Sequence, residues 1–131
     1  MFQRAEHPVA LAGLDASRAF FAPCFADAAE ETFWVAHLDS QSRCIHLSGH
    51  RGDLDTAPVP TETILGDAAR LGSAGLILAH NHPSGNPAPS SSDRAITRRL
   101  AFLGEAMDLT IVDHLIFAGE HCTSMRRMGL L

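Results

Sequence analysis

The sequence predicts an α/β domain with a mixed β-sheet flanked by helices. Short apolar segments typical of strands alternate, without internal repeats, with segments whose apolar residues recur at helical spacing. One short segment, residues 75–79, is continuously apolar, which indicates a central strand covered on both faces. A length of 131 residues and 46% apolar content suit one domain over residues 1–131, of which residues 1–14 show no clear pattern.

The first half of the chain predicts a helix followed by a β-hairpin. Residues 16–29 have helical spacing, with Asp15 placed as the N-cap and Pro23 expected to bend the helix or mark its start. Residues 32–38 and 43–48 are apolar segments separated by a polar turn, which is typical of paired strands.

The middle of the chain predicts a loop, a helix and a strand. Residues 49–60, rich in Gly, Asp and Pro, favour a loop or a short irregular strand. Residues 61–71 form a helical stripe that ends at Gly72. The strand at 75–79 then leads directly to His80.

The last part of the chain predicts a loop, a helix and a strand. Residues 83–89 consist almost wholly of Pro, Ser, Gly and Asn, so they favour a loop. Ser90 can cap a helix whose apolar stripe is Ile96, Leu100, Leu103 and Met107. Residues 109–118 predict another strand, and the tail beyond them has no clear pattern.

Composition disfavours several classes of function. The formal net charge of -5 gives no positive field for a phosphate backbone, so we expect little direct binding of nucleic acid at any salt concentration. All ten basic residues are arginine, which excludes a lysine nucleophile or Schiff base.

The three cysteines fit neither a disulfide scaffold nor a cysteine zinc cage, because they are widely spaced and form no CxxC pair. We expect buried thiols in a reducing compartment. Neither a signal peptide nor an apolar run long enough to span a membrane is found, so a cytoplasmic protein is expected.

A metal site is predicted by His80, His82 and Asp93. Residues two apart on an extended chain project to one side, so the two imidazoles can converge. A His-x-His pair alone is weak evidence, since chance gives about one in every two chains of this composition. The Pro- and Gly-containing loop that follows folds back to a helix capped by Ser90, which displays Asp93 on its first turn.

Two histidines and one carboxylate suit zinc at three positions of a tetrahedron, with the fourth left for water. Spacing alone leaves a second interpretation open. In it the loop is merely polar, Asp93 favours the helix N-terminus electrostatically, and the histidines are ordinary surface groups.

This pattern resembles the RadC branch of the JAB/MPN (JAMM) metalloproteases. That signature is an upstream Glu followed by HxH, ten residues and Asp, with Ser three positions before the Asp. This signature is matched by His80, His82, Ser90 and Asp93. Residues 80–85 (HNHPSG) are similar to the corresponding motif of the RadC branch.

Two further segments extend the resemblance over about residues 29–131. Residues 113–116 (DHLI) are similar to the family's DHI strand, and residues 31–41 are similar to its first strand. A VxPRE-like segment is only partly matched at residues 59–62, and the helix-hairpin-helix module of full-length RadC proteins is not found, so we expect a short form.

The resemblance implies a mixed sheet flanked by helices, similar in layout to cytidine deaminases, and a hydrolytic zinc ion acting on a peptide or protein substrate. Deaminase chemistry itself is excluded, because neither its HxE pair nor its PCxxC ligands occur. Glu31 matches the family's general base, and Ser90 is a candidate hydroxyl donor to the negative oxygen that forms during hydrolysis. Alternatively, Glu31 belongs to a solvated helix end, and Ser90 is only an N-cap.

Other polar residues have two interpretations each. Asn81 and Ser84 line a substrate groove or merely form the turn. His114 and Asp113 form a hydrogen-bonding pair that supports the metal ligands, or a plain structural pair in a strand.

Two functions follow. The leading hypothesis is a zinc-dependent peptidase or isopeptidase. The competing one is a non-catalytic RadC-like interaction module associated with DNA repair or mobile elements. A homo-oligomer also stays open, because the apolar residues 128–131 can pack on a neighbouring copy as easily as on their own core.

Overall fold

The computed structural model describes residues 4–51 and 60–131. Its elements follow the predicted alternation, with short strands β1 and β6 in the two end segments whose sequence shows no clear pattern. In chain order they are β1 (Val9–Ala10), α1 (Leu14–Phe25), β2 (Thr32–Leu38), β3 (Arg43–Arg51), α2 (Thr61–Leu71), β4 (Gly75–Asn81), α3 (Ser91–Glu105), β5 (Thr110–Ala118) and β6 (His121–Ser124).

The strands form one six-stranded sheet in the order β1-β3-β2-β4-β5-β6. β4 and β5 are parallel and are joined through α3, whereas the other neighbouring pairs are antiparallel. Every residue of β4 is buried, which confirms the predicted central strand. The sheet is therefore mixed and lies between helices, as predicted.

The two faces of the sheet bury separate hydrophobic clusters. Alternate residues of β4 divide between them, because successive side chains of a strand point to opposite faces. Leu76 and Leu78 pack with Ile64 of α2 and Leu100 of α3. The opposite cluster contains α1 and comprises Phe21, Ala36, Leu38, Ile77 and Ala79 among others.

Two helices show how well local signals set helix ends. α2 has the predicted bounds, and Gly72 ends it in the left-handed conformation with φ 68°. The prediction for α1 is wrong at both ends. Its N-cap is Gly13, so Asp15 lies in the first turn instead of capping it, and Pro23 lies inside the last turn. Because Pro23 supplies no N–H to the Ala19 carbonyl, the last turn is weakened, and the helix ends two residues later at Phe25.

The hairpin is longer than its sequence pattern indicates. β3 continues to Arg51, so the first part of the predicted loop at 49–60 is strand, and residues 52–59 lie outside the described part. Gly49 pairs with Trp34, and a Cβ atom there would lie 2.9 Å from the indole ring. Glycine thus leaves the room that the tryptophan ring needs across the strands.

β5 contains a bulge that changes the face to which its side chains point. Leu76 pairs with Ile111, but the next residue of β4 pairs with Asp113, so Val112 is extra. Ile111 packs on the α2 and α3 side and Leu115 on the α1 side. The extra residue shifts the alternation of side chains between the two faces by one position. His114 therefore points to the same face as Ile111, toward α3.

Within residues 4–51 and 60–131, no helix combines the length and the apolar character that crossing a membrane requires.

His37 of β2 is a fully buried histidine, with an exposed fraction of 0%. Its Nδ1 lies 2.9 Å from the Ser73 hydroxyl, while its Nε2 has no hydrogen-bond partner within residues 4–51 and 60–131. Burial, together with the neighbouring His46 and His50, lowers the pKa of His37 to about 4. The ring is therefore neutral in the folded protein at neutral pH.

We expect acidification to destabilise the fold through His37. An unfolded histidine binds a proton near pH 6.5, so between that pH and the folded pKa of about 4 the unfolded state binds more protons. Stability should fall across this window by up to about 3 kcal/mol from this group. Urea unfolding of metal-free protein at several pH values measures it. His37→Gln should make the free energy of unfolding depend less on pH, whereas the exposed control His7→Gln should leave that dependence unchanged. Equal slopes for both variants would contradict the assignment.

Candidate metal centre

The candidate site lies where the carboxyl end of β4 meets the start of α3. His80 belongs to β4, His82 follows it, and Asp93 is the third residue of α3. The connecting loop turns sharply at Gly85, whose φ is 86° and whose N–H donates to the His82 carbonyl. The His82 N–H donates in turn to the carbonyl of Phe117. These contacts return the chain to the end of β4, so that α3 begins beside it.

The three predicted ligands converge on one point. The Nε2 atoms of His80 and His82 are 2.9 Å apart. One carboxylate oxygen of Asp93, Oδ1, lies 3.0 Å from His80 Nε2, and the other, Oδ2, lies 3.1 Å from His82 Nε2. His80 and Asp93 are buried, and His82 is partly exposed. One face of the group is therefore accessible from solvent.

These donor atoms fit a small cation. The His82 Nδ1 atom lies 2.7 Å from the Asn86 carbonyl oxygen, which can only accept, so Nδ1 carries the proton of the neutral ring and Nε2 presents a lone pair. Lone pairs and a carboxylate repel one another at 3 Å unless a proton or a metal cation lies among them. Ligand atoms about 3.3 Å apart are expected around a tetrahedral metal with bonds of 2.0–2.1 Å. The group formed by His80, His82 and Asp93 can hold a metal ion.

A capping box holds the Asp93 carboxylate in place. Ser90 Oγ accepts the Asp93 N–H at 3.1 Å, and Asp93 Oδ2 accepts the Ser90 N–H at 2.7 Å. Burial alone would raise the pKa of Asp93, but the contacts with His80 and with the Ser90 N–H outweigh it and lower that pKa. Asp93 is consequently ionised at neutral pH, as a metal ligand must be.

The structure brings the two predicted catalytic residues to the same opening. A cavity of about 270 Å³ is lined by Glu31, His82, Ser90 and Asp93 together with loop residues. Glu31 directly precedes β2, while Ser90 directly precedes α3. A second cavity, of about 410 Å³, adjoins His82 and Asn81 and extends along α1.

Asn81 has a role that the sequence pattern did not indicate. Asn81 lies between the two histidine ligands in the sequence and is buried, and its amide nitrogen donates to the Glu30 carbonyl at 3.0 Å. Its amide oxygen accepts the Thr32 N–H at 2.8 Å. The backbone on both sides of Glu31 is thus fixed to the strand end that carries the ligands. No local sequence signal links residues so far apart.

His114 and Asp113 are hydrogen-bonded, but through the His114 backbone and not through its ring. The Asp113 carboxylate accepts the His114 backbone N–H, the Ser124 hydroxyl and the Arg126 N–H, which favours the structural interpretation of the pair. The ring instead lies between His80 Nδ1, 2.8 Å from its Nε2, and the Thr97 hydroxyl, 2.6 Å from its Nδ1. Thr97 lies one helical turn after Asp93, a spacing that offered a signal in the sequence.

Comparison with known families agrees with this geometry. The family described as "RadC-like JAB domain" matches residues 12–130, which includes all three candidate ligands. The chain belongs to the RadC-like JAB domain family. Both the resemblance found in the sequence and the mixed-sheet fold that it implies are confirmed.

This RadC-like JAB domain is similar to proteins named only as UPF0758 members. It is 40% identical over 114 residues to UPF0758 protein Bpet3149 of Bordetella petrii, covering 86% of this chain and 50% of that protein. It is 38% identical over 113 residues to UPF0758 protein STH371 of Symbiobacterium thermophilum, covering 86% of this chain and 48% of that protein. The chain spans about half the length of these curated relatives.

Added divalent metal should bind at one ion per chain and stabilise the folded protein. At a free concentration about 100-fold above the dissociation constant, binding contributes about 2.7 kcal/mol, or roughly 10 °C in melting temperature. Elemental analysis and thermal unfolding after chelation and reloading measure both effects. His82→Ala should lose both, whereas the exposed control His7→Ala should keep them. Full stabilisation of His82→Ala would place the metal elsewhere.

Proposed function

We propose that this RadC-like JAB domain is a zinc-dependent metallohydrolase that cleaves peptide or isopeptide bonds. The observation that carries the proposal is the convergence of His80, His82 and Asp93 beside a cavity that Glu31 and Ser90 also line. Two imidazoles and one carboxylate form a donor set that zinc uses in catalytic sites, with a position left for water.

Each residue at the cavity has a distinct part in the proposed reaction. Bound zinc would supply Lewis acidity and bring the pKa of a water molecule toward neutrality. The Glu31 carboxylate takes the proton from the attacking water and delivers it to the leaving amine. The Ser90 hydroxyl donates a hydrogen bond to the substrate oxygen as negative charge develops there, while its oxygen still accepts the Asp93 N–H.

The substrate class follows from the resemblance and from the openings at the site. The metalloprotease resemblance favours an amide bond, and the two cavities that meet at His82 offer space on both sides of a scissile bond. The net charge of -5 gives no support for nucleic acid as the substrate. We therefore propose a peptide or protein substrate, approached from the partly exposed side of His82.

Glu31→Gln should abolish turnover and leave the metal in place. Losing the general base should lower kcat by about 10²–10⁴-fold, because the amide cannot take the proton. Cleavage of a peptide pool in heavy-oxygen water, followed by mass spectrometry, measures turnover and shows whether water is the nucleophile. Chelation should stop the wild-type reaction and zinc should restore it.

The matched control is Glu30→Gln, which removes the neighbouring exposed carboxylate. It should cleave like the wild type. If Glu31→Gln cleaved as fast as Glu30→Gln, Glu31 would not be the base.

Asn81→Ala should separate turnover from metal binding. Without the two hydrogen bonds to the Glu30 carbonyl and the Thr32 N–H, the backbone that carries Glu31 is no longer fixed. We expect kcat to fall by about 10-fold or more, as is typical when a catalytic group is misplaced. The zinc dissociation constant should change little. Measuring kcat and the zinc dissociation constant of the same variant separates the two effects. A parallel loss of turnover and zinc affinity would show that Asn81 acts on the ligands.

A further inference from the structure

We propose that Thr97 and His114 are positioning residues that fix the tautomer of His80, so that its Nε2 presents a lone pair to the metal. Three buried hydrogen bonds run from His80 through His114 and Thr97 to the backbone carbonyl of Asp93. The inference rests on the proposed metal binding and deepens it, since it identifies what prepares one ligand before the metal arrives.

Thr97 sets which atom donates and which accepts in each of these three hydrogen bonds. Its hydroxyl lies 2.7 Å from the Asp93 carbonyl oxygen, which can only accept a hydrogen bond. A hydroxyl has one proton, so Thr97 gives it to that carbonyl and must accept at its other short contact, 2.6 Å from His114 Nδ1. The opposite arrangement would leave two oxygen atoms 2.7 Å apart with no proton between them. His114 therefore carries its proton on Nδ1.

The donor and acceptor roles in the hydrogen bond between His114 and His80 follow in the same way. His114 has an exposed fraction of 0%, and among the residues that the structure describes its ring hydrogen-bonds to His80 and Thr97 and to no carboxylate, so the neutral form is strongly favoured over a buried cation. A neutral ring with its proton on Nδ1 has a lone pair on Nε2. That atom is 2.8 Å from His80 Nδ1, which must be the donor. When His80 is neutral, its lone pair is therefore on Nε2, at the point where the three ligands meet and 3.0 Å from Asp93 Oδ1.

An imidazole is an unusual acceptor in this position and explains why a third residue is needed. The ring N–H of a metal-bound histidine usually donates to a carboxylate or a carbonyl, which can only accept. His82 follows that rule through the Asn86 carbonyl. His114 alone could accept or donate, because neutral imidazole has two tautomers. Thr97 removes that ambiguity.

The fold holds the chain of hydrogen bonds rigidly. The bulge in β5 turns His114 toward α3, which carries both Asp93 and Thr97. Phe33 lies against both rings, with centroids 6.1 Å from His80 and 5.5 Å from His114. These hydrogen bonds thus end on the backbone carbonyl of Asp93, whose carboxylate is itself a candidate ligand. His80 and Asp93 are therefore positioned relative to each other.

Thr97→Val tests the proposal because it removes the hydroxyl and keeps the shape. The matched variant Thr97→Ser keeps the hydroxyl. Long-range proton–nitrogen NMR spectra of the metal-free proteins identify the protonated nitrogen of each histidine. In the wild type and in Thr97→Ser we expect the proton of His80 on Nδ1. In Thr97→Val we expect His114 to change tautomer, His80 to carry its proton on Nε2, and His82 to stay unchanged as an internal control.

Zinc affinity gives the second readout. Thr97→Val should bind zinc about 10–100-fold more weakly than the wild type, the usual cost of losing such support, and Thr97→Ser should bind nearly as well. A proton on Nε2 of His80 in the wild type would overturn the proposal. So would identical His80 tautomers and zinc affinities in the Val and Ser variants. Failure of the wild type to bind zinc would overturn the proposed function, and the tautomers of the metal-free protein would still decide this inference.

Discussion

The junction between the end of β4 and the first turn of α3 places three electron-pair donors within about 3 Å of one another, at the edge of a closely packed sheet. Such a group is costly unless a cation occupies its centre, so the surrounding structure must both hold the donors and keep them accessible to one. β4 does this by being central and fully buried through its last residue, Asn81, after which the chain becomes partly exposed at His82. The parallel connection to β5 then returns α3 to the same edge.

Several groups at this junction serve the fold and the site at once. Asp93 completes the capping box of α3, and its backbone carbonyl accepts the Thr97 hydroxyl. Asn81 joins the end of β4 to the backbone beside Glu31. Because the same atoms that satisfy the ends of secondary structure also orient the candidate ligands, binding of a metal ion there would be coupled to local stability. Substitution at these positions therefore has to be measured by metal affinity and by folding together.

The pH response of the protein has a source that is separate from the metal centre. His37 is buried on the α2 and α3 face of the sheet, and its pKa is lowered to about 4 chiefly by that burial. Its imidazole nitrogen Nε2 has no hydrogen-bond partner in the described part of the chain, which adds to the cost of keeping a polar ring in the core. Protonation of His37 in the unfolded chain thus lowers the stability of the fold in acid, and unfolding of the metal-free protein measures this effect.

The sequence by itself determined the elements with strong local patterns and the chemistry of the ligands. The apolar run of β4, the stripe of α2 with its terminal glycine, and the spacing of His80, His82 and Asp93 are all short-range signals, because neighbours a few residues apart set them. Only the tertiary structure decided which distant groups serve those ligands. Strict alternation along β5 would turn His114 away from α3, and the extra residue that resets it has no signature of its own in the sequence. Hydrogen bonds between strands and helices far apart in the chain depend on packing, and packing is a property of the whole fold.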